Sequence, residues 1–351
     1  MTAQFEKIFV AYPRGVRTGG PEALHQLVDE LRTQGEDAFL VPLAPTRDAT
    51  RVAEFEVYDA PEAEFEDRPG NAFIVPETGL RHLWSVKHAQ TIIWWLSYDY
   101  GTPFLLRQEA ADRRFKRMLG IRHEPWAGSF AATTLRRALV AAPYDGVMRR
   151  SLHLAQSYYA RAALHSSAGI LATIVSDFIP RSEAAGVPQA GDRGRTVAFN
   201  PAKAPWVPEL LGPRLPDVEW RALAGLSRSG VEDMLGGTAV YFDPGYHPGR
   251  DRMPREAARF GGVTIVARRG AGAYWDDVPI ADDYKVAATS DFVERAATAI
   301  GRALDDPAAA REAQQSYRRW IDGDRDRFRA EITRGFIEGR WWDDGPTTVP
   351  R

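Results

Sequence analysis

The sequence has no cysteine among its 351 residues. Disulfides, thiolate metal sites and a cysteine nucleophile are therefore all excluded, which suits a reducing compartment. The sequence also has little net charge, because 45 Lys and Arg stand against 47 Asp and Glu, a formal balance of −2. A chain with no general positive field is not expected to bind nucleic acid, so any anion site must be local.

Long hydrophobic runs are also missing. The N-terminus enters FEKIFVAY without an apolar signal region, and the most apolar stretch, TIIWWLSYDY, is too short to cross a bilayer as a helix. We therefore expect a cytoplasmic protein, and peripheral contact with the inner face of the membrane stays open. The seven histidines show no zinc-binding spacing, and no GxSxG or GxxxxGK[ST] motif occurs.

The sequence instead alternates strand and helix patterns. KIFVAY predicts a buried strand, RGVRTGG a glycine-rich turn, PEALHQLVDELRTQG a helix and DAFLVPL a second strand. Pro21 suits the first helical turn and Gly35 the C-terminal cap. Together these segments form a βαβ unit, which implies a parallel sheet.

The alternation continues and then restarts. NAFIVPE and TIIWWLS predict further strands with a helix at GLRHLWSVKHA between them, and residues 46–70 read as loop. The stretch 181–195 has no periodicity and is the predicted linker, after which TVAFNP begins a new series. We predict an α/β fold with two Rossmann-like domains facing across a cleft. They span residues 1–180 and 181–351, and a terminal helix within 306–339 crosses back to the first domain.

One loop carries an unusual set of charges. The segment HPGRDRM follows the predicted strand TAVYFDP, and Pro254 is predicted to begin a helix with Ala257, Ala258 and Phe260 facing inward. A helix N-terminus attracts phosphate oxygens, and the fork-shaped donors of Arg250 and Arg252 match them. The alternative is a solvated loop whose arginines pair with acidic neighbours.

These residues also carry a family resemblance. MPREAARFGGVTIVARRGAGAYWDDVPI resembles the donor-site segment of GT-B glycosyltransferases, in which a proline, a glutamate and an alanine pair open a helix. HPGRDRMPREAA resembles a bacterial subgroup from surface-polysaccharide (capsule or exopolysaccharide) loci. FIVPET, IIWWLSYDY, HLAQSYYA and YKV are similar to other segments of that subgroup. The resemblance is scattered over residues 8 to 290 and is most specific at 247 to 258.

The resemblance implies a function. A GT-B enzyme of this kind moves a sugar from a nucleoside diphosphate sugar to a glycan or lipid-linked acceptor, with no cofactor and no bound metal. The first domain is then the acceptor side, and the second binds the nucleotide sugar. Glu256 matches the glutamate that holds the donor ribose. The residues implied to lie at the donor diphosphate are Gly19, Gly20, Lys203, Arg250 and Arg252.

The sequence departs from the family pattern at one position. Many retaining GT-B enzymes have two glutamates with seven residues between them, but Pro248 stands eight positions before Glu256. Either His247 or Asp251 then takes the place of the first glutamate, or the sugar is held differently. The anomeric outcome of the transfer therefore stays open. An inverting enzyme also needs a base near the acceptor. Asp99 and Glu77 follow predicted strands, and each serves either as that base or as a helix cap.

Other interpretations stay open or fail. An epimerase of the same fold needs no acceptor, and a degenerate GT-B domain binds a partner without catalysis. The aromatic residues Trp94, Trp95, Tyr98 and Tyr100 either stack on a sugar acceptor or form core. Asp322, Asp324 and Asp326 open like a calcium loop, but Arg327 and Thr333 stand where that loop needs Gly and Glu. We predict a solvated helix face there.

Overall fold

The structure, a computed structural model, describes residues 4–44, 46–101, 103–121, 142–180 and 193–341. Most of the linker predicted at 181–195 lies outside the described residues. The chain divides into two compact units. Within the described residues the first unit holds 4–106, 142–177 and 325–341, and the second holds 107–121 and 178–324.

Strands and helices alternate through both units. The strands are β1 (Ile8–Tyr12), β2 (Ala38–Pro42), β3 (Ala72–Pro76), β4 (Gln90–Trp95), β5 (Leu152–Ala155), β6 (Thr173–Ile174), β7 (Thr196–Phe199), β8 (Glu219–Ala222), β9 (Val240–Asp243), β10 (Val263–Ala267) and β11 (Lys285–Val286). The α-helices are α1 (Gly19–Thr33), α2 (Leu105–Met118), α3 (Asp145–Arg150), α4 (Tyr158–Ala168), α5 (Val207–Leu211), α6 (Arg228–Gly236), α7 (Arg252–Arg259), α8 (Phe292–Asp305), α9 (Pro307–Ala313), α10 (Gln315–Asp322) and α11 (Asp324–Ile332). Among the described residues, no helix has the length and apolar character needed to cross a membrane.

The first unit is built on a parallel sheet with the strand order β2-β1-β3-β4-β5-β6. Strands β1 and β3 are buried along their whole length, as expected for a sheet with both faces covered. Trp94 and Trp95 are buried in β4. The indole of Trp94 donates to the Val175 carbonyl and that of Trp95 to His153 Nδ1, each at 2.9 Å. The aromatic cluster is therefore core, apart from Tyr100, which is 47% exposed.

The second unit has a parallel sheet with the order β11-β10-β9-β7-β8. In each sheet the second strand lies on one side of the first strand, and all later strands lie on its other side, so the strand order reverses. The reversal falls between β1 and β3 in the first sheet and between β7 and β9 in the second. Ligands of such sheets bind outside the carboxyl ends of the strands at this reversal. In the second unit a ligand is therefore expected at the loops after β7 and β9.

Each unit is made of more than one segment of the chain, so the two units are not separated by a single boundary at residue 180. Residues 325–341 group with the first unit, where Arg329 Nε donates to Glu30 Oε1 at 2.8 Å. Most of helix α2 groups with the second unit, an exchange that the division into 1–180 and 181–351 did not include. The α2 residue Phe115 meets the Phe292 ring edge-on at 5.0 Å. Apolar contacts of this kind cannot be assigned to a unit from sequence order.

Several predicted helix boundaries differ from the observed ones. Helix α1 begins at Gly19 rather than at Pro21, and α7 begins at Arg252 rather than at Pro254. The segment predicted as an α-helix at GLRHLWSVKHA is a 3₁₀-helix, Glu77–Ser85. The helical region predicted over 306–339 is divided into α9, α10, α11 and a π-helical turn. Short connections at Gln314 and Gly323 separate the three α-helices.

Candidate functional site

Asp243 ends β9 at the reversal of the second sheet. The whole of β9 is buried, so this carboxylate is buried as well. It accepts hydrogen bonds from the Gly245 backbone N–H at 3.0 Å and from the Tyr241 hydroxyl at 3.1 Å. A buried carboxylate at the carboxyl end of a strand requires a positive partner.

Lys203 supplies that positive charge from the other side of the reversal. It follows β7, and its Nζ lies 3.3 Å from Asp243 Oδ2 and 2.6 Å from Asp251 Oδ2. Burial opposes the charged form of both groups, but the facing charges outweigh it. The pKa of Lys203 is raised and the pKa of Asp243 is lowered. Lys203 and Asp243 therefore both stay ionised at neutral pH.

His247 lies between the same two carboxylates. Its buried ring places Nε2 at 3.5 Å from Asp243 Oδ1 and Nδ1 at 3.1 Å from Asp251 Oδ2. Its backbone carbonyl accepts the Ala271 N–H at 2.8 Å, so the loops after β9 and β10 are joined. Gly270 makes this possible, because its φ is +57° and a Cβ there would lie 2.0 Å from the His247 carbonyl oxygen.

The ligand atoms of Asp243, His247 and Asp251 all lie within 4.8 Å of one another. One imidazole and two carboxylates form a set that can hold a divalent metal ion. The Lys203 ammonium already contacts both carboxylates and offsets part of their negative charge. That the protein works without a metal therefore stays a prediction. We call Lys203, Asp243, His247 and Asp251 the ion cluster.

Arg250 is placed differently from the prediction. Instead of an exposed donor aimed at a diphosphate, it is a buried side chain whose Nη2 lies 2.5 Å from Asp324 Oδ1. Its guanidinium also stacks on the Trp320 ring at 4.4 Å. Arg255 Nη1 donates to the other Asp324 oxygen at 3.1 Å. Arg250 is therefore paired with a carboxylate, but in the interior and not in a solvated loop, and its role at the diphosphate stays a prediction.

The same contacts correct the prediction for Asp324. It was expected on a solvated helix face with Asp322 and Asp326, but it is only 1% exposed. Its partner Arg250 lies 74 residues away in the chain. Local periodicity carries no information about such a distant ion pair.

Helix α7 carries the remaining predicted donor residues. Asp251 is its N-cap residue, Arg252 is its first residue, and Glu256 lies one turn further on and is partly exposed. The expectation that Ala257, Ala258 and Phe260 face inward is confirmed, since all three are buried. In the first unit, Gly19 and Gly20 form the first turn of α1 rather than the loop before it.

Arg269, which follows β10, is not among the site residues predicted from the sequence. Its guanidinium lies 4.0 Å over the Phe115 ring, and Nη2 donates to Asp112 Oδ1 at 3.0 Å. A longer contact of 3.4 Å runs from Nη1 to the Pro244 carbonyl. Burial lowers the pKa of Arg269 in spite of Asp112. The residue joins α2 to the loop after β9, and the signal in the sequence is its place two residues after a strand.

The two candidate bases lie in the first unit. Asp99 is buried in a short 3₁₀-helix after β4 and accepts the Tyr159 hydroxyl at 2.9 Å. Glu77 is buried after β3, and its Oε2 accepts the Leu96 N–H at 2.9 Å. Burial raises the pKa of Glu77 to about 7. Glu77 thus accepts a backbone N–H, and catalytic roles for Glu77 and Asp99 stay predictions.

No protein-family model and no curated protein matches this sequence. Solved structures do share its fold. Sucrose-phosphate synthase from Thermosynechococcus elongatus superposes with a TM-score of 0.61 at 11% identity, covering 95% of this chain and 98% of that chain. WaaG, a glycosyltransferase involved in lipopolysaccharide biosynthesis, gives 0.55 at 11% identity, covering 93% of this chain and 99% of that one. TarM gives 0.51 at 10% identity, covering 77% of this chain and 55% of that one. The predicted fold class, two parallel-sheet α/β domains of GT-B type, is confirmed.

Proposed function

We propose that this chain is a glycosyltransferase that moves a sugar from a nucleoside diphosphate sugar to a glycan or lipid-linked acceptor. The observation that carries the proposal is the ion cluster, which lies with the N-terminus of α7 at the strand-order reversal of the second sheet. That edge is where α/β sheets bind nucleotides. The GT-B fold supports the same reaction class only by analogy.

The donor diphosphate is the leaving group, so negative charge grows on it during transfer. Lys203, Arg252 and the first N–H groups of α7 are the positive groups that we assign to it. Glu256, one turn into α7, is assigned to the ribose hydroxyls. Lys203 supplies a fixed cation here, which is why we propose a metal-independent reaction.

A diphosphate must compete with carboxylates for Lys203. The side chains of Lys203 and Asp251 are 25% and 26% exposed, whereas those of Asp243 and His247 are almost completely buried. Asp251 is therefore the carboxylate that gives way when the diphosphate arrives, and Asp243 with His247 stays in place. His247 then keeps the loop after β9 in position next to the donor sugar.

The remaining parts of the proposal concern the acceptor and the setting. Asp99 is assigned as the base for the acceptor hydroxyl, and Gly19 and Gly20 as the turn below the donor phosphates. The acceptor class follows the resemblance to enzymes of bacterial surface-polysaccharide assembly. That pathway places the protein in the cytoplasm, with peripheral contact at the inner face of the membrane.

The test is a calorimetric titration with UDP, GDP, ADP and dTDP. We expect one of these to bind wild type, Lys203→Met to bind it at least about tenfold more weakly, and Asp251→Asn to bind it several-fold more tightly. Asparagine has nearly the same shape as aspartate, and the Asp251 side chain forms no capping hydrogen bond, so Asp251→Asn removes mainly the competing charge. Lys87→Met, at an exposed site of the first unit, is the matched control. If none of the four nucleotides binds folded wild type at millimolar concentration, the proposal is wrong.

The second candidate is a non-catalytic protein of GT-B fold. The observation that favours it is the internal neutralisation of Lys203 by Asp243 and Asp251 and of Arg250 by Asp324. Such a protein binds no nucleotide in the titration. If a nucleotide does bind, product analysis with and without an acceptor distinguishes transfer from epimerisation.

A further inference from the structure

A second group of positive charges lies at the opposite edge of the second sheet. Arg193 precedes β7, is 9% exposed, and donates from Nη1 to the Thr238 carbonyl at 2.9 Å and from Nη2 to the Phe260 carbonyl at 2.7 Å. Thr238 precedes β9 and Phe260 precedes β10. The guanidinium therefore lies at the amino ends of the strands, whereas the ion cluster lies at their carboxyl ends.

Two more arginines come to this edge from the pair of helices α9 and α10. Arg311 is in α9 and Arg318 in α10, and Arg318 Nη2 donates to the Arg311 carbonyl at 2.6 Å. Gln314 joins the helix pair to the start of β10 through two hydrogen bonds with the Thr264 backbone, of 2.9 and 2.7 Å. Burial and then the charges of Arg311 and Arg318 lower the pKa of Arg193, as expected for neighbouring cations.

We call Arg193, Arg311 and Arg318 the arginine cluster. In the part of the chain that the structure describes, none of the three forms an ion pair with a carboxylate. Glu312 is the carboxylate that acts on Arg318, and it is exposed and forms no ion pair with it. Arg193 Nε, Arg311 Nε and Arg318 Nη1 are buried, and none of them has a hydrogen-bond partner among the described residues.

Other buried arginines of the second unit do form ion pairs with carboxylates. Arg250 and Arg255 share Asp324, and Arg269 pairs with Asp112. Like charges held together with buried, unsatisfied donors cost free energy unless an anion compensates them. Guanidinium groups match phosphate oxygens in geometry as well as in charge.

We propose that the arginine cluster binds a phosphate group, carried either by a soluble phosphorylated ligand or by the headgroup of an anionic lipid. The site is separate from the ion cluster, because the two lie at opposite ends of the same strands. The proposal therefore stands whether or not the second unit binds a nucleotide sugar.

The test is a calorimetric titration of the full chain with inorganic phosphate. We expect one equivalent to bind wild type, and Arg311→Gln and Arg318→Gln each to weaken that binding about tenfold. Arg295→Gln is the matched control, because Arg295 is exposed in the same unit and pairs with Asp291. Arg295→Gln is expected to bind phosphate as wild type does. Lys203→Met removes any phosphate bound at the ion cluster, so the equivalent that this variant retains is the one at the arginine cluster.

Thermal unfolding adds a readout that a merely structural role would not give. Phosphate should raise the midpoint of wild type and leave those of Arg311→Gln and Arg318→Gln unchanged. In phosphate-free buffer the two variants should be at least as stable as wild type, because like-charge repulsion is relieved. Loss of stability in both variants, or phosphate binding equal to that of wild type, overturns the proposal, as does wild type that binds no phosphate.

Sedimentation with vesicles identifies the source of the phosphate group. Retention on phosphatidylglycerol but not on phosphatidylcholine vesicles, lost in Arg311→Gln and competed by inorganic phosphate, supports the lipid headgroup. Phosphate binding without retention on either vesicle supports a soluble ligand.

Discussion

At the scale of single residues, distant partners decide the role of each charge. Arg250 and Lys203 belong to the same predicted donor set, yet Arg250 is buried against Asp324 and Lys203 reaches the surface. The sequence could indicate that cations gather at this loop, because the motif is local. It could not indicate which of them is neutralised, because Asp324 comes from a helix far along the chain.

Asp324→Asn tests the buried ion pair. The substitution leaves Arg250 and Arg255 buried without a negative partner, so we expect the free energy of unfolding to fall by about 3–5 kcal/mol. Urea denaturation measures the change. Asp322→Asn, two residues earlier and exposed, is expected to change it by less than about 0.5 kcal/mol. Equal small effects would mean that the pair contributes no net stability.

Two buried groups of the first unit give opposite pH dependences. Burial lowers the pKa of His25 from 6.5 to about 4, so the unfolded chain takes up this proton first and stability falls as the pH drops from 6.5 to 4. Burial raises the pKa of Glu77 from 4.5 to about 7, so the folded chain takes up that proton first and stability rises as the pH drops from 7 to 4.5. Each effect amounts to about 3 kcal/mol, and they offset each other in wild type.

Single substitutions should separate the two titrations. In Glu77→Gln only the His25 effect remains, so stability should fall more steeply than in wild type on acidification from pH 6.5 to 4.5. In His25→Gln only the Glu77 effect remains, so stability should rise relative to wild type over the same range. Urea denaturation at several pH values measures the profiles. Three parallel profiles would contradict both assignments.

At the scale of elements, the strands and several short helices could be predicted, whereas α2 and the type of the helix after β3 could not. Segments such as KIFVAY and NAFIVPE are apolar on both faces, and their flanking turns confine them to strand length. The sequence does not predict a helix at α2, because the first turns of α2 carry little apolar periodicity beyond the two leucines. The 3₁₀-helix Glu77–Ser85 has the same apolar residues as an α-helix would, so periodicity alone does not separate them.

Gly270→Ala tests how the loops after β9 and β10 are joined. Alanine at φ +57° is strained, and its Cβ would overlap the His247 carbonyl oxygen, so the backbone must move. We expect a loss of at least about 3 kcal/mol in the free energy of unfolding. Gly225→Ala is the control, because its φ of +68° is similar but a Cβ there meets nothing within 4 Å. That control should lose only about 1–2 kcal/mol.

At the scale of the whole molecule, the sequence indicated two α/β domains, because the strand and helix patterns restart after the predicted linker. It did not indicate that α2 belongs mainly to the second unit, because α2 comes between strands of the first. Which unit a segment joins depends on contacts such as that of Phe115 with Phe292. Those contacts join residues far apart in the chain.

Trp341→Ala tests the attachment of the C-terminal segment to the first unit. Trp341 is buried, meets the Phe336 ring edge-on at 4.9 Å, and accepts a hydrogen bond from Thr173 at its carbonyl. We expect a loss of about 3 kcal/mol, together with faster amide exchange in β6. Trp275→Ala, at a side chain 60% exposed in the second unit, should change stability by less than about 0.5 kcal/mol. Similar losses in both variants would contradict the assignment.

The return of residues 325–341 to the first unit has a consequence for synthesis on the ribosome. The first unit is begun first and completed last, because the sequence of the second unit is translated before Arg329 emerges. Until then Glu30, a buried carboxylate of α1, lacks the arginine that pairs with it. Until residues 325–341 emerge, the nascent first unit therefore exposes the face that they cover, and during this interval it is open to aggregation.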